Sequence, residues 1–375
     1  MRTVTATAAA VTALVGAGAA AVAAGRYAGD AVLRPAPGRP LPDPVPLSVH
    51  SAVDGRVALT RSLAALRPGT YGLDAPGVHA VVGPVLDGVP HDPDTVVRRL
   101  DRVTHGELVP GTRVRFTPSL HRGDPGSALG LGYADVDVPG ELGALPAWFV
   151  PGPRRTWVIT VHGLGTTREH PMNLIPFLHG QLVPVLDLAY RNDLGAPASP
   201  DGLGHLGESE WRDLDAAIRY AVRFGAERVV LYGWSTGASM ALHAASRSAL
   251  RDRIAGLVLD SPVLDWHVTL RALAAARGTP GPLVPLAVRA AQGRTGLRGD
   301  RLPEAADPDG LQVPVLVFHG PGDTLAPWGL TRRLADRRPD LVTLYSIQEA
   351  PHAAMWNASP AAYEEALRRF LTPLM

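Results

Sequence analysis

The sequence predicts a doubly wound α/β fold, a mostly parallel sheet with helices on both faces, preceded by a small strand-rich module. Three observations lead there. From about residue 129 onward, apolar runs of four to seven residues alternate with segments of helical spacing, the pattern of buried parallel strands joined by helices. Residues 47–125 instead carry short alternating apolar runs broken by Gly, Pro and Asp. With 46% hydrophobic and 19% charged residues, the 375-residue chain can bury a sizeable core and is not globally disordered.

Composition narrows the chemistry. All 36 basic residues are Arg, and Cys is absent. That removes a Schiff-base lysine, a phosphate-loop lysine, a thiolate nucleophile, a cysteine-ligated metal and any disulfide. A net charge of +1 without a basic run is no footprint for nucleic acid. The 13 His are scattered, with no His-Glu-x-x-His, so no metal and no cofactor are expected. A small molecule is the expected ligand, and no protein partner is inferred.

In chain order, residues 1–34 are expected to be a signal peptide or membrane anchor. Val4–Ala24 is an uncharged stretch of 21 residues, 11 of them Ala, which is long enough to span a bilayer. Ala21–Ala23 would suit signal peptidase. Arg26, Arg34 and Arg39 follow the stretch and only Arg2 precedes it, so its orientation is ambiguous. A soluble Ala-rich helix is the alternative. The expectation is a body outside the cytoplasm, anchored through this segment or released. Residues 35–46 contain six Pro in twelve positions and form an extended linker. In the 47–125 module, Val57–Leu59 and Arg113–Phe116 are strand candidates, the latter with Val114 and Phe116 on one face, and a helix is expected around Asp94–Val103.

Residues 126–375 form the main body. Its strands are expected at Trp157–Val161, Leu182–Leu188, Val229–Tyr232, Ile254–Leu259, Val313–Phe318 and Leu341–Ile347, with helices over Glu208–Phe224 and Ala238–Leu250. Residues 263–311 fall outside this alternation and suggest an apolar helical cap. Packing of those helices on the core is the plainer alternative.

In such sheets, sites form at the carboxyl ends of the strands. The run Val229–Tyr232 leads into Gly233-Trp234-Ser235-Thr236-Gly237 and then a helix of small residues. A sharp strand–turn–helix of this kind lifts a Ser hydroxyl above the sheet, and Gly233 and Gly237 have no Cβ to collide there. A Ser hydroxyl needs an imidazole base, and the imidazole needs a carboxylate. Asp323 follows the run Val313–Phe318, 88 residues after Ser235; His352 follows the next run, 29 residues later. Asp260, at the end of Ile254–Leu259, is the rival carboxylate. Oxyanion donors are expected at the backbone N–H of Thr236 and of Leu164, in the His162-Gly163-Leu164-Gly165 loop. His162 is expected to brace that loop. Trp234, Trp266 and His267 are candidate substrate contacts.

These motifs together resemble the α/β-hydrolase superfamily: H-G-L-G at 162–165, G-W-S-T-G at 233–237, H-G-x-x-D-x-x-x-P at 319–327, and P-H-x-x-x-W at 351–356. The resemblance runs from about residue 129 to the C-terminus. It implies an eight-stranded sheet, a Ser235–His352–Asp323 triad, oxyanion donors at Leu164 and Thr236, and the tryptophan often found after the catalytic His at Trp356. It is nearest to the serine esterase, lipase and aminopeptidase-like branch. The implied activity is hydrolysis of carboxylic esters through an acyl-enzyme. A serine peptidase with the same triad and a non-catalytic binding protein are the alternatives. The stretch 47–125 has no counterpart in what the resemblance implies.

Overall fold

The computed structural model describes residues 23, 25–27, 29–39, 45–90, 92–295 and 310–375. The first sheet is a closed six-stranded barrel built from Leu47–Val53 (β1), Arg56–Thr60 (β2), Tyr71–Ala75 (β3), Val78–Val85 (β4), Thr95–His105 (β5) and Arg113–Thr117 (β6). The strands close in the order β1–β2–β5–β4–β3–β6. Side chains two residues apart share a face of a strand. Leu47 and Val49, Val57 and Leu59, Tyr71 and Leu73, Ala80 and Val82, and Val114 and Phe116 accordingly fill one interior. The helix expected around Asp94–Val103 is instead the long strand β5, paired with β2 on one side and β4 on the other. Its first three residues, Thr95, Val96 and Val97, are β-branched and buried, and closure of the barrel supplies both edges with partners.

The second sheet has eight strands: Ala134–Pro139 (β7), Ala144–Val150 (β8), Thr156–Val161 (β9), Val185–Leu188 (β10), Arg228–Trp234 (β11), Ile254–Asp260 (β12), Val315–His319 (β13) and Val342–Ser346 (β14). Their order is β14–β13–β12–β11–β9–β10–β8–β7. Strands β9 to β14 run parallel, while β7 and β8 add an antiparallel edge. One face packs against helices Trp211–Arg223, Thr236–Arg247 and Trp328–Arg337, and the other against Ile175–Gly180 and Pro360–Leu371. This is a doubly wound sheet. Each expected strand is present with shifted ends; β10 starts at Val185 because Leu182 turns the chain at φ 63°.

The cap region forms two helices, Trp266–Ala276 and Val284–Thr295; its remainder, residues 296–309, lies outside the described residues. The helices bury Trp266, Leu270, Leu273 and Val288 together with Val32 and Leu33. The boundary drawn at residue 34 therefore needs correction. The described residues between 23 and 33 are helical and belong to the fold. Leu33 O accepts the N–H of Gly204 at 2.9 Å, and Asp30 pairs with Arg294 at 2.8 Å. Val4–Ala24, apart from Ala23, lies outside the described residues, and among those described no helix is long and apolar enough to cross a membrane.

The barrel is docked onto the second sheet by polar side chains. Asn357 Nδ2 donates to the carbonyls of Thr70 and Pro118, both at 2.9 Å, and Asn357 O accepts the N–H of Thr70 at 2.9 Å. Asn173 donates to Pro118 O at 2.8 Å and accepts from the N–H of Leu120 at 3.0 Å. Arg122 bridges Asp74 of β3 and Glu169 of the main body.

Candidate active site

The parallel strands bring Leu164, Ser235, Asp323 and His352 to one end of the sheet, on the loops after β9, β11, β13 and β14. Ser235 sits at φ 54°, ψ −114°, a strained conformation for a non-glycine residue. The elbow is tight on both sides. A Cβ on Gly233 would meet the Gly237 carbonyl at 2.3 Å, and one on Gly237 would meet the Val161 carbonyl oxygen at 2.2 Å. Only glycine fits at either position. The Ser235 N–H donates to Asp260 O at 2.8 Å, which ties the elbow to the end of β12.

His352 Nε2 lies 2.7 Å from Ser235 Oγ, and its Nδ1 lies 2.7 Å from Asp323 Oδ2. Asp323 Oδ1 accepts the N–H groups of Leu325 and Ala326 at 2.8 and 2.9 Å. His319 Nε2 approaches Asp323 Oδ2 at 3.0 Å, while its Nδ1 meets Thr331 Oγ1 at 2.7 Å. Burial works against a charge on Asp323, but the charges and hydrogen bonds of His352 and His319 outweigh it and hold the carboxyl well below the usual range. His319 opens the H-G-x-x-D motif, but no contact with Asp323 is expected from the sequence. Its place four residues before Asp323, at the last residue of β13, was the available signal.

Asp260, the rival carboxylate, is engaged elsewhere. Its carboxyl accepts from Ser261 Oγ at 2.9 Å and from the Tyr363 hydroxyl at 3.1 Å. Tyr363 is in turn hydrogen-bonded to Tyr232. Burial pushes the Asp260 carboxyl up to about 7. Ser261 Oγ accepts the N–H of Ala353 at 2.9 Å, so this network steadies the loop carrying His352.

Thr236 opens the helix Thr236–Arg247, where a first-turn N–H has no carbonyl four residues back to bond. Leu164 lines the cavity that holds Ser235 and His352, and with Thr236 it lines a neighbouring pocket. His162 is fully buried; its Nδ1 meets Gly163 O at 3.0 Å and its Nε2 meets Asp193 Oδ2 at 2.8 Å. Burial disfavours charge on His162, yet the Asp193 carboxylate raises its proton affinity overall. Sequence spacing gave no sign of Asp193, which comes from the loop after β10.

A cavity of about 480 Å³ opens beside Ser235 and His352. Its far wall is the barrel, through Leu47, Leu63, Tyr71 and Phe116, rather than the cap helices. Trp234, Trp266 and His267 do not line it. Trp234 is buried and stacks on Tyr232 at 4.2 Å, Trp266 is buried in the cap's own cluster, and His267 stands edge-on to Trp266. Among the described residues, no group of three acidic or histidine side chains could hold a metal ion.

Residues 156–280 match the α/β hydrolase fold family, and residues 48–117 match a domain of unknown function, DUF8805. An esterase from Pyrococcus furiosus superposes with a TM-score of 0.56 at 22% identity, covering 67% of this chain and 94% of its own. Est1E from Butyrivibrio proteoclasticus, with ferulic acid bound, superposes with a TM-score of 0.50 at 18% identity, covering 64% of this chain and 98% of its own. No curated protein matches the chain. The main body has the α/β-hydrolase fold, and the six-stranded barrel is joined to its N-terminal side.

Proposed function

We propose that the protein is a serine hydrolase that cleaves carboxylic esters through an acyl-enzyme. The observation that carries this reading is the hydrogen-bonded series Ser235–His352–Asp323 at the wall of a largely apolar cavity. In this mechanism, Ser235 Oγ attacks the ester carbonyl as His352 Nε2 takes its proton. The C–O bond to the alcohol then breaks, and the same proton passes to the leaving oxygen. Asp323 keeps the Nδ1–H directed at itself and balances the imidazolium. The backbone N–H groups of Leu164 and Thr236 would hold the oxyanion. Water, deprotonated by His352, releases the acid and restores Ser235. The two named structural relatives are an esterase and a ferulic-acid complex, in keeping with this reaction class.

The test is a panel of p-nitrophenyl esters against aminoacyl amides, together with fluorophosphonate labelling. Ester turnover with labelling at Ser235 supports the reading. Amide cleavage alone would assign a peptidase, and absence of both would leave only a binding role. The location proposed with it is outside the cytoplasmic membrane, anchored or released, on the length of Val4–Ala24. Protease added to intact spheroplasts should degrade the protein; full protection would place it inside.

A further inference from the structure

The cavity wall opposite Ser235 carries two polar groups that the proposed reaction does not use. Arg67, on the barrel loop between β2 and β3, lines the cavity among Leu63, Ala64 and Phe116. Among the described residues no side-chain hydrogen bond or ion pair holds its guanidinium, unlike those of the buried Arg98 and Arg191. Arg98 gives its donors to four carbonyls, and Arg191 pairs with Asp213 at 2.7 Å. Tyr71 lines the same wall, is 1% exposed, and its buried hydroxyl has no hydrogen-bond partner. Burial pushes that hydroxyl up to about 12, so it remains a donor at every physiological pH.

Arg67 is half-buried, so its guanidinium keeps contact with solvent while standing at the cavity, where a charge is free to meet an anion. Both groups can donate and both residues lie in one wall; Arg67 is the accessible one, and the buried Tyr71 hydroxyl behind it is reached only by a ligand group that enters the wall. A carboxylate would satisfy both, since it accepts a forked pair of N–H bonds from Arg and has lone pairs left for a phenol.

We infer that Arg67 and Tyr71 form an anion-recognition subsite, and that the esters cleaved at Ser235 carry a carboxylate remote from the scissile carbonyl. The barrel would then select the substrate while the hydrolase core performs the chemistry. The inference deepens the hydrolase reading and rests on it for the word ester, but binding tests the subsite without turnover.

The experiment uses the full chain with Ser235→Ala, so that ligands are not consumed, and calorimetric titration. Monobutyl glutarate places the carboxylate on the acyl side of the ester, and 4-acetoxybutanoate places it on the alcohol side. Each is compared with its neutral methyl ester. At least one anionic ligand should bind about tenfold or more tightly than its neutral counterpart, as a charge-assisted hydrogen bond warrants. The ligand showing the preference identifies the side that faces the barrel. Adding Arg67→Met should bring the ratio close to one, and Tyr71→Phe should reduce it. Arg67 holds Arg98 through its carbonyl, which the substitution keeps, and an unchanged melting curve will report an intact fold. Equal binding of charged and neutral ligands, or a preference that survives Arg67→Met, overturns the subsite. Failure of the wild-type chain to take fluorophosphonate would instead overturn the hydrolase reading, whatever the titrations give.

Discussion

Ser235 depends on two partners that reach it from distant parts of the chain, and single substitutions separate their roles. Ser235→Ala should abolish fluorophosphonate labelling and lower ester turnover by on the order of 10⁴–10⁶, with little change in stability, since it removes one hydroxyl at a turn. Asp323→Asn should lower turnover by roughly 10⁴-fold by leaving His352 in the wrong tautomer. If labelling persists without Ser235, another Ser is the nucleophile. Asp260→Asn should keep most of the turnover and reveal itself in stability against pH. The folded state raises the Asp260 carboxyl from 3.8 to about 7, so the folded chain keeps a proton that the unfolded chain gives up. Its contribution is therefore full below about pH 4 and is lost as pH rises through about 7. The melting temperature of the wild type minus that of Asp260→Asn should fall between pH 4 and 8; a flat difference would mean that Asp260 is ionised in the fold. Asp323 has the opposite sign. Its depressed carboxyl stabilises the fold above its ordinary range, and that contribution disappears only in strong acid.

Among the elements, the loop between β2 and β3 owes its shape to one side chain of β5. Arg98 enters the barrel in phase with Val96, and its guanidinium donates to Gly83 O, Ala65 O, Arg67 O and Gly69 O at 2.9, 3.0, 2.6 and 2.7 Å. Arg98→Met would leave those buried carbonyls without donors, at a cost of about 3 kcal/mol or more. It should lower the melting temperature and weaken ester turnover together, because the loop walls the cavity. A variant with wild-type stability would show that water replaces the guanidinium. This arrangement also marks where sequence reading stops. The strands β9 and β11 to β14, the glycines at 233 and 237 and the residues Ser235, Asp323 and His352 were legible because each is fixed locally, by an apolar run ending in a turn. β5 has the local look of a helix because pairing with β2 and β4 leaves no local trace. The pairing of His162 with Asp193, and the barrel wall over Ser235, join segments far apart in the chain and had no periodicity to reveal them.

At the scale of the whole molecule, the barrel and the hydrolase body should behave as one cooperative unit, because their contact is built into the loop that carries His352. Ala354, two residues after His352, packs in the barrel's own core cluster, and Asn357 bonds both Thr70 and Pro118. The closest approach is at Gly69, where φ is +90° and a Cβ would lie 2.0 Å from the Asn357 carbonyl oxygen. No rotamer relieves a clash with backbone, so Gly69→Ala must push the two units apart or distort the 351–357 loop. All seven Trp lie beyond the barrel, from Trp148 onward, so tryptophan fluorescence follows the hydrolase body alone, whereas far-UV circular dichroism follows both units. In the wild type the two probes should give one coincident transition. In Gly69→Ala they should separate, and kcat/KM for an ester should fall because the loop that positions His352 and the wall above Ser235 move together. Coincident transitions at the wild-type temperature with unchanged kcat/KM would show that the barrel rests on the body without restraining it. The coupling would then have to be sought at the Arg122 bridge between Asp74 and Glu169 instead.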